Sequence, residues 1–115
     1  MTSSIRFEPG AIIAVRVQFS DGEAAKRRPV VVLTDDIYHA SHGDAIVMAL
    51  TTNLATPRFG DCNLQDWSQA GLPKPSKAKG SLHTIERTKF EKQYGNLTPG
   101  DLERLRGSVR QILSL

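Results

Sequence analysis

Between Gly10 and the polar stretch that begins at Ser20, the chain alternates in character: Ile13, Val15, Val17 and Phe19 are separated by Ala14, Arg16 and Gln18. A period of two predicts a strand over residues 11–19 that is buried on one face. Residues 20–26, with Asp21-Gly22 inside, form a turn-rich loop. The pattern then changes. Residues 30–33 are a continuous, mostly β-branched run, as expected of a strand covered on both faces. Thr34, Asp35 and Asp36 can cap a short helical turn over 37–42 that Gly43 closes.

Residues 45–50 predict a third strand, ending in the polar set Thr51-Thr52-Asn53. Residues 61–64 predict a fourth. Asp66 is placed to cap a one-turn helix over 67–70, stopped by Gly71. Residues 72–80, with Pro73 and Pro75 among lysines, predict an extended loop, and residues 81–85 a fifth strand. The last element is the clearest. Thr98 is an N-cap, Pro99 takes the first helical position, and Asp101 stands where a capping-box acid belongs. Leu102, Leu105, Val109, Ile112 and Leu113 then form one apolar face. The fold class expected is mainly β with a helix: short strands in a compact, partly closed sheet, with an amphipathic C-terminal helix packed on it.

Composition bounds this picture without changing it. A chain of 115 residues, 39% hydrophobic and 23% charged, fits one domain spanning 1–115 with a modest core. No apolar stretch approaches a membrane span, and residues 1–6 lack the apolar centre of a signal peptide. The lone cysteine, Cys62, rules out a disulfide framework and reads as a small buried hydrophobe. Together these features point to the cytoplasm and to no membrane association.

Charge adds more. The net charge is +3, and from Pro73 to Lys92 the bases Lys74, Lys77, Lys79, Arg87, Lys89 and Lys92 face only Glu86 and Glu91. A second basic cluster is Lys26-Arg27-Arg28. Such patches suit an anionic partner, and also occur as plain solvated surface. Arg28-Pro29 stands out because it joins a loop to a buried strand. A guanidinium carries a fixed fork of donors matched to phosphate, and proline belongs at a strand start. Read without further context, Arg28 is either a rigidly based phosphate ligand or a surface arginine.

The segments Gly10-x-Ile12, Lys26-Arg27-Arg28-Pro29-Val30-Val31-Val32-Leu33, Ala45-Ile46-Val47-Met48-Ala49-Leu50-Thr51, Asp66-Trp67-x-x-Ala70-Gly71-Leu72-x-Lys74-Pro75-Ser76 and Thr84-Ile85-Glu86 resemble, in order and spacing, the MazF/PemK family of bacterial toxins. The resemblance covers nearly the whole chain from Gly10. It implies an SH3-like small barrel, of the CcdB/PemK kind, with a C-terminal helix. It also implies a homodimer and a sequence-selective endoribonuclease that cuts single-stranded RNA without a metal or other cofactor. A cognate antitoxin would hold it inactive through a peptide segment lying in the RNA groove. The fold alone leaves a second reading open, a non-catalytic barrel that binds a protein, as the gyrase poison CcdB does, or RNA without cleaving it.

Metal-free RNA cleavage needs a group to take the 2′-hydroxyl proton, a group to offset charge on phosphorus, and a group to protonate the leaving 5′-oxygen. By the resemblance, Arg28 grips the scissile phosphate and Thr51 orients phosphate or hydroxyl by hydrogen bonding; the alternative for Thr51 is a strand-end threonine serving the backbone. His83 is a candidate acid or base, or else a partly exposed strand histidine. The family's acidic partner in the preceding turn is missing, for Lys79-Gly80-Ser81 occupies that stretch. Lys26, Arg27, Lys74, Lys77 and Lys79 are the candidate RNA-backbone contacts. His39 and His42 are spaced for one helical face but lack further ligands, so no metal site is expected. Trp67 reads as packing, with base stacking as the alternative.

Overall fold

The computed structural model describes residues 7–18, 22 and 24–115. Its elements are β1 (Ala11–Val17), β2 (Lys26–Val32), α1 (Asp36–His39), β3 (Asp44–Thr51), β4 (Cys62–Asn63), β5 (Lys77–Glu86), a 3₁₀ turn (Arg87–Lys89), β6 (Phe90–Asn96) and α2 (Pro99–Leu113). Phe19, expected at the end of the first strand, lies outside the described residues. All strand pairings are antiparallel, in a six-stranded sheet of order β4-β5-β3-β2-β1-β6.

The sheet is open. Among the described residues no ladder joins β4 to β6, so the mainly β fold with its C-terminal helix stands as expected, with the small barrel left open as a sheet. The reason is local. β4 is only two residues long, and the turn at 66–71 lies where a further pairing would stand. A Cβ on Gly95 would sit 2.3 Å from the Ala70 carbonyl oxygen, and one on Gly71 would sit 2.5 Å from that of Tyr94. Backbone meets backbone there, and only glycine permits it.

Both faces of the central strands are covered. Ile12, Val31, Met48 and Leu50 point to the side sealed by Leu64, Leu72 and Leu105 of α2, with Trp67 packed against them. Ile13, Val15, Val30, Val32, Val47 and Ile85 point to the other side, which Phe7 and Phe90 close edge-to-face at 4.9 Å. Of the apolar helix face, Leu102, Val109 and Ile112 pack as expected, whereas Leu113 is half exposed at the last turn. Cys62 is buried, and burial pushes its thiol up, as expected of an inert hydrophobe. No helix among the described residues is long and apolar enough to cross a membrane.

Three expectations are corrected. Residues 77–80 belong to β5 rather than to a loop. β6 was not anticipated: its sequence, Phe-Glu-Lys-Gln-Tyr-Gly-Asn, carries little apolar signal because it is an edge strand paired only to β1. Asp101 is no capping-box acid. Thr98 does accept the Asp101 N–H, but the Asp101 carboxylate accepts the N–H groups of Gln65 and Asp66, at 3.1 and 2.9 Å, and pairs with Arg104. It thus clamps α2 to the turn on which Trp67 sits. Around α1, His39 is buried against the Thr34 hydroxyl and His42 stacks on Tyr38, while Arg87 donates to both histidine carbonyls.

Candidate functional site at the sheet mouth

The register of the central strands decides which candidate residues meet. Val15 is the Cα partner of Arg28, and Val17 that of Lys26. Partners in an antiparallel ladder share a face, so Arg28 and Lys26 lie on the Val15 side of the sheet. On the other flank of β2, Val30 pairs with Ala49 and Val32 with Val47. Arg28 and Thr51 each lie two residues beyond the Val30–Ala49 pair, on the same face of the sheet. Both are half-buried, at the strand ends from which the loops depart.

His83 also lies on this face, as the partner of Val47. It stands four residues along β3 from Thr51, about 13 Å at strand spacing. Arg28 and Thr51 thus share a face near the ends of their strands, and His83 lies on the same face further along β3. A cleft of about 400 Å³ opens beside His83, lined also by Val17, Gln18, Ile85 and Lys89; it reaches neither Arg28 nor Thr51. Burial, then the nearby Lys79 charge, holds the His83 imidazole below its ordinary range, so the ring is neutral at pH 7 and able to accept a proton.

Thr51 is held by its own loop. Its hydroxyl oxygen accepts the Asn53 N–H at 3.1 Å, which turns the hydroxyl hydrogen toward another acceptor. The Asn53 side chain in turn accepts the Ala55 N–H.

The basic candidates divide. Lys26, Lys74 and Lys79 are exposed. Arg27 faces the opposite side from Arg28, beside its partner Arg16, and both reach Glu91, at 2.9 and 3.9 Å. Lys77 departs from the expected loop lysine. Its side chain is only 6% exposed, 2.7 Å from the Asp61 carboxylate and 2.9 Å from the Thr56 carbonyl oxygen, and so cannot meet a phosphate in solvent. Burial pushes the Asp61 carboxyl up, but the Lys77 ammonium and the N–H groups of Gly80 and Arg58 outweigh it and hold the carboxyl below its ordinary range. Asp61 was missed as a partner by the sequence reading, and Lys89 entered it only as part of the basic stretch. A pair sixteen positions apart across a loop leaves no local periodic signal. Among the described residues no cluster of three or more metal-ligating side chains occurs.

The sequence profile of a family described as PemK-like, MazF-like toxin of type II toxin–antitoxin systems matches residues 8–113. No curated protein sequence gives a significant match. Among solved structures, MazF from Deinococcus radiodurans superposes with a TM-score of 0.78 at 18% identity, covering 97% of this chain and 100% of that one. The toxin MazF-mt6 of Mycobacterium tuberculosis gives 0.73 at 20% identity, covering 91% and 97%. A mycobacterial endoribonuclease in complex with its cognate antitoxin gives 0.70 at 14% identity, covering 94% and 93%.

Proposed function

The chain belongs to the PemK-like, MazF-like toxins of type II toxin–antitoxin systems, and from that premise we propose that it is a metal-independent endoribonuclease that cuts single-stranded RNA at selected sequences. The observation that carries the reading is that Arg28 and Thr51, both half-buried, share one face of the sheet just beyond the β2–β3 ladder. In this reading the ribose 2′-oxygen attacks phosphorus and the P–O5′ bond breaks. The 5′-oxygen takes a proton from water as it leaves, so the products are a 2′,3′-cyclic phosphate and a 5′-hydroxyl.

Arg28 neutralises the charge that grows on the phosphoryl oxygens, and its fork holds them better than a point charge could. Thr51 donates its hydroxyl hydrogen to the same phosphate, its oxygen being engaged by the Asn53 N–H. His83, neutral and on the same face but set along β3 from Thr51, is the candidate acceptor of the 2′ proton. Lys26, Lys74 and Lys79 follow the flanking backbone, and Arg27 contributes charge from the opposite face.

The likeness to toxins solved with antitoxins supports a cognate antitoxin for this chain, with an acidic segment lying over the same cations. A homodimer would extend the basic surface, and sedimentation at micromolar concentration would test it. Incubation with long single-stranded RNA in EDTA tests the activity itself. Discrete fragments with 5′-hydroxyl ends are expected. Intact RNA across a broad panel of sequences would overturn the reading in favour of a non-catalytic binder.

A further inference from the structure

The buried Lys77–Asp61 pair lies beside Thr51, since Lys77 is the Cα partner of Thr51 in the β3–β5 ladder. Between Thr51 and Asp61 the chain makes a loop whose residues 52–59 are all exposed. An exposed loop of this length has little packing to hold it. Here polar bonds replace packing. The Asn53 N–H donates to Thr51, and the Ala55 N–H donates to the Asn53 side chain. The Thr56 carbonyl accepts from Lys77, and the Arg58 N–H donates to Asp61. The Asp61 carboxylate also accepts the Gly80 N–H at 2.8 Å, which fixes the pair to the irregular part of β5. Gly80 lies there because a Cβ would stand 2.5 Å from the Phe59 carbonyl oxygen, so loop and strand touch backbone to backbone.

A buried ion pair is a poor source of net stability, because desolvation offsets most of the attraction. What it supplies is a single geometry, since each charge is tolerated only where its partner stands. We propose that Lys77, together with Asp61, is a positioning residue of the cleavage reaction: the pair pins the 52–61 loop and through it fixes the direction of the Thr51 hydroxyl. The inference rests on the endoribonuclease reading above. It gives a function to a lysine that solvent-borne RNA cannot touch.

The experiment uses a short RNA carrying one mapped cleavage site, in EDTA, under single-turnover conditions, with each rate expressed per folded molecule. Affinity is measured separately on the same RNA with a 2′-deoxy at the scissile nucleotide. In Lys77→Met the cleavage rate should fall about 10- to 100-fold, as expected when a reacting group is misplaced by an ångström or less. Affinity for the deoxy probe should stay within about twofold, because a misdirected hydroxyl affects the transition state more than the bound ground state.

Should Lys77→Met fail to fold, Lys77→Met/Asp61→Asn leaves no stranded charge and keeps an acceptor for the Gly80 N–H; the same split is expected of it. Asn53→Ala, on the exposed loop, should lower the rate in the same direction by a smaller factor. Wild-type rates in the folded Lys77 variants would overturn the positioning role while leaving the endoribonuclease reading intact. Rate and affinity falling together by the same factor would also overturn it, since that marks a loop that merely holds RNA. A wild-type protein that cuts no RNA at all would remove the reading beneath the inference, and the inference with it.

Discussion

Asp101 and Asp61 are both carboxylates shielded from water, both paired to a cation and both answered by backbone N–H groups from other parts of the chain. Burial raises each carboxyl, and in each case its bonding partners outweigh burial and hold it low. Their surroundings differ. Asp101 joins α2 to the turn at 65–71, on the side of the sheet filled by Leu64, Leu72 and Leu105. Asp61 joins an exposed loop to β5 beside Thr51, at the mouth where Arg28 also stands. One clamp therefore holds scaffold to scaffold, and the other, in the proposed reading, holds scaffold to site. The lesson is that the chemistry of a buried charge does not tell its role; what it fastens does.

The comparison breaks most visibly through the mouth itself. Arg28→Ala should lower RNA cleavage by about 10²–10³, the loss typical of one charge-stabilising donor. Its urea-unfolding free energy should stay within about 0.5 kcal/mol of wild type, as for substitutions away from the core. A variant that cuts at the wild-type rate would remove Arg28 from the reaction.

Asp101→Ala should do the opposite. It leaves the Gln65 and Asp66 N–H groups without their acceptor, and each such loss costs about 1–3 kcal/mol. Unfolding should therefore come several kcal/mol earlier, while cleavage per folded molecule stays near wild type. A rate loss without a stability loss would place Asp101 in the site and erase the contrast.

Acidity separates the regions more finely. The His83 imidazole sits below its ordinary value of 6.5, so cleavage should hold through neutrality and fall as pH drops into the range below 6.5. His83→Gln should flatten that limb of the pH–rate profile. Asp61 and Asp101 are depressed from 3.8, so the stability they contribute is fully present above about pH 4 and is lost as pH falls through their folded values. Activity should thus fail before these carboxylates let go. Urea midpoints and initial cleavage rates across the same buffers measure the two windows; coincident losses would deny that they are separate.

The scaffold was more legible than the mouth. Alternation in β1, the β-branched run of β2 and the capped periodicity of α2 are local signals that burial imposes directly on sequence. β6 escaped because an edge strand with one paired flank has little need of apolar residues. Arg28 and Thr51 were visible as a motif, and they lie just beyond the ladder that joins two strands that were also visible. Lys77 was misread because its neighbours are prolines and lysines, while the fact that buries it, Asp61, comes from across a loop. Long-range polar pairs carry no period, so they wait for the fold.

The central claim is that the mouth performs chemistry on RNA through the 2′-hydroxyl, and the most direct measurement replaces that one group. An RNA with a single mapped cleavage site is compared, in EDTA, with the same RNA carrying a 2′-deoxy at the scissile nucleotide. The account predicts binding of both and cleavage of the all-ribose strand alone, with a 2′,3′-cyclic phosphate on the upstream fragment. Cleavage of the deoxy strand at a comparable rate would contradict it.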